Sequence, residues 1–120
     1  MNYIFDGTVT NNLKKYEDIS VTVFRKKEDH WEKLLDPFYC PDTQNLPKVE
    51  HWRNNITISL ALNQPIGDDK TCTVKKIENG TAGDPKQVGN FKWEIEMTST
   101  KESPGGPITT IEIEVSDGSE

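Results

Sequence analysis

The sequence is short of the side chains that most catalytic sites are built from. It holds two cysteines and two histidines, so nucleophiles, proton carriers and soft metal ligands are scarce. No Cys-x-x-Cys pair and no His-x₃₋₅-His pair occurs, and structural zinc sites usually draw their ligands from such close pairs. A Gly-rich phosphate loop, a Ser-centred elbow and a His-Glu-x-x-His helix are all missing. No apolar run approaches the ~20 residues of a transmembrane helix. The opening stretch lacks the basic head and apolar run of a signal peptide. With only Cys40 and Cys72, no disulfide framework is implied, and a cytoplasmic protein with free thiols is the expectation.

Positive charge is also in deficit. Lys and Arg number 14 against 20 Asp and Glu, a net charge of −6. The excess sits in residues 91–120, where Lys92 and Lys101 face seven acids. Such a chain repels phosphate backbones and anionic lipid, which argues against nucleic acid and bare membrane as partners. A protein partner with a basic surface, or a cation, is electrostatically favoured. Apolar residues make up only 32% of the chain, so any core is thin.

What is present is period-two alternation, the mark of half-buried strands. In ISVTVF, Ile19, Val21 and Val23 share a face, and in ITISLAL, Ile56, Ile58, Leu60 and Leu62 do. In FKWEIEM, Phe91, Trp93, Ile95 and Met97 oppose Lys92, Glu94 and Glu96. In TIEIEV, Ile111, Ile113 and Val115 oppose Glu112 and Glu114. NYIFDGTV places Tyr3, Phe5 and Val9 together. In TCTVKKI, Ile77 breaks the parity of Cys72 and Val74, which predicts a bulge or a strand end. One wetted face per strand is the antiparallel habit. The connectors NQPIGDD, ENGTAGDPKQVGN and ESPGGP are turn-rich. These features predict one all-β domain over residues 1–120, an antiparallel β-sandwich of about seven strands, with a small barrel as the alternative.

Residues 28–54 are the ambiguous piece. Trp31, Leu34 and Leu35 have helical spacing, stopped by Pro37. VTVFRKK and HWEKLL read instead as a hairpin turning at Glu28-Asp29, which follows directly from a strong strand. Residues 36–54 show no periodicity and contain Pro37, Pro41 and Pro47. They are expected to be an ordered irregular excursion, packed down by Phe38, Tyr39, Leu46, Val49 and Trp52.

Several constellations hold residue types that could carry chemistry. His30, Cys40, His51 and Cys72 have the ligand types of a tetrahedral zinc centre without its spacing. Cys40 with His51, oriented by Asp36, Asp42 or Glu50, has the parts of a thiol nucleophile, but no helix N-terminus to stabilise the thiolate. The loop acids Asp68, Asp69, Asp84 and the tail from Asp117 to Glu120 lack calcium-loop spacing. More specific are Glu94, Glu96, Glu112 and Glu114. If their strands formed a simple hairpin, like charges would lie opposite one another, at a cost of about 0.2–1 kcal/mol per pair. Placement in different sheets, or an intervening basic strand such as that of Lys75-Lys76, would relieve this. Otherwise the repulsion would be kept for a basic partner.

The expectation is therefore a non-enzymatic protein-interaction module, an inhibitor or assembly subunit, docking a basic partner on Glu94, Glu96, Glu112 and Glu114. No cofactor or metal is expected, and homo-oligomerisation is left open. The alternative is a lectin-like or lipid-surface module, calcium-assisted or not, using Trp31, Tyr39 and Trp52, with one of Trp31 and Trp52 in the core. A cysteine-dependent enzyme is the second alternative.

Overall fold

The computed structural model describes residues 3–14, 18–26, 30–100 and 108–117. The Glu28-Asp29 turn, the ESPGGP connector and residues 118–120 lie outside them. Ten strands are present among the described residues: β1 (Tyr3–Asn12), β2 (Ile19–Lys26), β3 (Trp31–Cys40), β4 (Thr43–His51), β5 (Asn55–Ala61), β6 (Lys70–Glu78), β7 (Gly80–Ala82), β8 (Lys86–Val88), β9 (Lys92–Ser99) and β10 (Thr109–Asp117). They form two sheets. The smaller runs β4-β1-β10-β6, and the larger runs β3-β2-β5-β9 with β7 and β8 sharing the outer edge of β9. All pairings are antiparallel except that of β1 with β10.

The alternating apolar residues fill the space between the sheets. Ile19, Val21, Ile58, Leu60, Ile95 and Met97 of the larger sheet meet Phe5, Val9, Ile111, Ile113 and Val115 of the smaller one in a single buried cluster. Each such side chain contributes about 1.5–3 kcal/mol on burial. This is the β-sandwich that the alternation implies, and one buried apolar cluster is how a chain with so few apolar residues holds together.

Three strands exceed the expected seven, and one of them corrects the reading of residues 36–54. That stretch is not irregular: it completes β3 and supplies β4. Its periodicity is hidden by bulges. On β4, Leu46 pairs Gly7 and Val49 pairs Phe5, so one extra residue between them shifts the buried positions to a spacing of three. β3 is interrupted twice against β2, opposite Val21 to Phe24. Both are edge strands, where proline is tolerated because one side of the strand needs no donor. The bulge foreseen in TCTVKKI is real, with the register slipping where Lys76 and Val74 meet Glu112 and Ile113. The hairpin reading of β2 and β3 also holds, with Lys26 opposite Trp31.

β7 and β8, three residues each, come from the connector ENGTAGDPKQVGN. The chain leaves the smaller sheet at Glu78 and enters the larger at Gly80, switching at one residue, Asn79, whose φ is 64°. Asparagine accepts this left-handed geometry better than most residues. Its carbonyl receives the Thr100 amide at 3.1 Å and the Thr109 hydroxyl at 3.0 Å, and its side-chain amide donates to the Ile108 carbonyl at 3.1 Å. Gly80 then lies so close to the Thr98 carbonyl that a side chain has no room. The switch places the segment 80–88 along β9, where it builds one wall of the feature described next. Among the described residues no helix is long and apolar enough to cross a membrane.

Candidate functional site

The four glutamates do not form one strip. β9 belongs to the larger sheet and β10 to the smaller, and the apolar faces of both point into the core. Glu94 and Glu96 therefore face outward on one side of the sandwich, and Glu112 and Glu114 on the other. Both structural routes to relieving the repulsion operate at once. The strands lie in different sheets, and β6 sets Lys76 opposite Glu112 and Lys75 Nζ 3.5 Å from Glu114. Asn12 also donates to Glu114. The Glu78 carboxylate, hydrogen-bonded to Lys76, raises the pKa of that ammonium, and Glu112 adds to the effect.

Glu94 and Glu96 have different neighbours. Cross-strand registers lay out the outer face of the larger sheet in rows. Tyr39, Ser20, Ala61, Lys92 and Val88 form one, and Thr22, Ser59, Glu94 and Lys86 the next. Lys33, Phe24, Thr57 and Glu96 form a third, and beyond it Trp31 pairs Lys26 and Asn55 pairs Thr98. The middle strands carry small or hydroxylated side chains, while the flanking strands carry long ones. A sheet dressed in this way is a trough. Its volume is about 490 Å³, and Trp31 and Lys26 line one side while Glu94, Glu96, Asp84, Lys86 and Val88 line the other. Thr57 and Ser59, on the floor strand β5 between these walls, are each only 7% exposed.

Trp31 is 51% exposed and Trp52 59%, so the expectation that one of them is core is corrected. The core tryptophan is Trp93, whose position on β9 has inward parity. Trp31 leans on Phe24 at 4.1 Å between ring centroids, and the Lys26 ammonium lies 5.0 Å over its ring. Tyr39 is exposed on the same sheet face at the far end of β3. Trp52 lies beyond the end of β4, stacked on His51 at 5.7 Å with the Arg53 guanidinium 4.2 Å over it. The second surface of the sequence reading is thus divided as well: Trp31 and Tyr39 belong to the trough face, Trp52 to a corner.

The cysteines and histidines are scattered. Cys40 is fully buried at the Thr43 end of β4, and its thiol reaches the Val9 and Asp42 carbonyls at 3.3 and 3.0 Å. Burial pushes its pKa up. His51 stands at the opposite end of β4, roughly 25 Å away at the rise of a strand. It is a tie between sheet edges: its Nδ1 accepts the Arg53 amide at 2.9 Å and its Nε2 faces Glu32 Oε1 of β3 at 3.3 Å. Cys72 lies on β6, its thiol pushed up to about 12 by burial. His30, Cys40, His51 and Cys72 are not brought together. Among the described residues no three His, Cys, Asp or Glu side chains converge on a metal position.

Sequence reasoning missed the trough, although its parts were visible. Alternation gave the outward face of each strand, but only the strand order puts Trp31 across from Glu94 and Glu96. Asp84, Lys86 and Val88 sat in a connector read as turns. No family model matches the chain, and neither a curated protein nor a solved structure resembles it significantly.

Proposed function

We propose that the chain is a non-enzymatic binding module that holds an extended glycan in the trough of its larger sheet. One observation carries this: an exposed indole and a pair of carboxylates line one trough, and the strand register sets Thr57 and Ser59 on β5 between them. Sugars present hydroxyls that both donate and accept, together with C–H faces that pack on aromatic rings. Thr57, Ser59, Glu94, Glu96 and Lys86 supply the matching acceptors and donors, and Trp31 supplies the ring. A single-sign surface would suit a charged protein partner better, whereas both signs line this trough. The basic-partner reading rests mainly on the Glu94–Glu96 half of its surface, since Lys75 pairs with Glu114 and Lys76, itself paired with Glu78, lies opposite Glu112. Both cysteines are free, which fits the reducing compartment expected from the sequence, and the cytoplasm remains part of the proposal.

The test is an oligosaccharide array followed by titration of each binder with tryptophan fluorescence. Gly83→Trp would add a ring at an exposed, trough-lining position where a Cβ meets nothing within 4 Å. It is expected to keep the melting temperature of the parent and to lose binding. An array with no binder, together with salt-sensitive capture of a lysine-rich peptide, would transfer the function to the basic-partner reading.

A further inference from the structure

We infer that the trough reads a single acidic sugar at its Arg25–Lys26 end, an inference that rests on the glycan reading above. A second depression of about 110 Å³ adjoins the trough and shares Lys26 and Glu96 with it. Arg25 lines it, and the guanidinium is held in place rather than neutralised. Its Nε donates to the Asn55 carbonyl and side-chain oxygens at 3.0 and 3.1 Å, and its Nη2 to the same side-chain oxygen at 3.0 Å. All three bonds end on a neutral residue. Lys26 rests over the Trp31 ring, and neither cation has a carboxylate partner among the described residues. A guanidinium fixed by one edge presents its remaining N–H groups as a fork, the geometry that a carboxylate accepts.

The rest of the trough limits how much negative charge the ligand can carry. Glu94, Glu96 and Asp84 line it against Lys26 and Lys86, so a polyanion would meet carboxylates along most of its length. A mainly neutral chain carrying one uronic acid satisfies both ends: its hydroxyls lie along Glu94, Glu96 and the floor, and its carboxylate meets Arg25 and Lys26. The charge asymmetry also fixes the direction in which the chain lies.

The experiment compares oligosaccharides bearing one glucuronic acid with the same molecules after reduction of the carboxyl to a primary alcohol. Titration by tryptophan fluorescence is run on the full chain and on Arg25→Gln and Lys26→Gln, with each variant's melting temperature recorded. The acid form is expected to bind about tenfold more tightly than the reduced form, the usual worth of one charge-assisted hydrogen-bonded pair. Arg25→Gln is expected to erase that difference while leaving affinity for the reduced form unchanged. Lys26→Gln, whose contact among the described residues is the Trp31 ring, serves where Arg25→Gln alters folding. Equal binding of acid and reduced forms would overturn the inference and leave the glycan reading standing. Preference for a sulfated over a uronic glycan would also overturn it. Absence of any glycan binding would overturn both.

Discussion

Replacing Gly80 by alanine tests whether the sheet switch at Asn79 sets the trough wall. A Cβ at this position would lie 2.3 Å from the Thr98 carbonyl oxygen and 2.6 Å from Thr109 Cγ2. Ordinary contact begins at about 3.4 Å, so β7 would have to withdraw from β9 by about 1 Å. The neighbourhood resists this, because the Asn79 carbonyl holds Thr100 and Thr109, and the Thr109 hydroxyl is bonded to Ser99 at 2.8 Å in the interior. Overpacking of this kind costs about 1–3 kcal/mol. Against it stands a gain of about 0.4–1 kcal/mol from a less flexible unfolded chain. Gly83 supplies the control, since a Cβ there meets nothing within 4 Å and its φ is not left-handed. Gly83→Ala is expected to keep only the gain. At roughly 3–6 °C per kcal/mol for a domain of this size, Gly80→Ala should melt several degrees below the parent and Gly83→Ala at or slightly above it. Circular dichroism melts of the three proteins measure this directly. A Gly80→Ala protein as stable as Gly83→Ala would mean that β7 is not held against β9 as described.

Trp31→Ala is expected to weaken glycan binding by tenfold or more. It should also cost about 1–2 kcal/mol of stability, because Phe24, now 6% exposed, loses its cover; an unchanged affinity would remove Trp31 from the site. Cys72 titrates near 9 when unfolded and near 12 when folded. The native state therefore keeps its proton longer, and stability falls as pH rises from about 9 towards 12, by up to about 1.4 kcal/mol per pH unit. Urea titrations of the parent and of Cys72→Ala should diverge over that window, and parallel curves would contradict the assignment. Glu94→Gln with Glu96→Gln should weaken binding, whereas Glu112→Gln with Glu114→Gln should leave it unchanged. Equal losses from the two pairs would restore a site spanning both faces.

Sequence alternation was enough to reveal the core because the β1–β10, β2–β5 and β5–β9 pairs keep register, and the slips fall against the edge strands β3, β4 and β6. Ile56 to Leu62 and Ile111 to Val115 keep strict parity, and all their inward residues are buried. β4 escaped notice because the extra residue between Leu46 and Val49 breaks the period, and a broken period is indistinguishable from none in a single sequence. β7 and β8 escaped because three-residue strands carry no period at all. Trp52 and Trp31 were misjudged together: aromatic bulk suggested burial, but the thin core already had Trp93, and the larger sheet used Trp31 to cover Phe24 on its outer face. The trough was the least legible feature because it depends on which strands are neighbours. Lys86, Glu94, Ser59 and Thr22 form one row drawn from four separate segments.

The tripeptide Glu-Ile-Glu occurs twice, at 94–96 and at 112–114, and strand alternation gives both copies the same form: isoleucine inward, carboxylates outward. Their meaning diverges one level higher, in the strands beside them. Next to β10 lies β6, an edge strand whose Lys75 and Lys76 answer the carboxylates, and lysines on an edge also discourage further strand pairing. Each carboxylate of that surface therefore has a lysine beside it. Next to β9 lies β5, which offers Thr57 and Ser59 rather than lysines, and Lys92 reaches Glu94 only at 3.9 Å. On the other side of β9, Lys86 of β8 lies opposite Glu94, so Glu96 is the carboxylate left beside a neutral hydroxyl, that of Thr57, with acceptor capacity to spare. A sheet face needs β-branched or bulky residues for strand propensity but not serine and alanine at its centre. Ser20, Ser59 and Ala61 on the outer face of the larger sheet are therefore residues that packing alone does not require, and on the glycan reading proposed above their small size is what would leave room for a ligand.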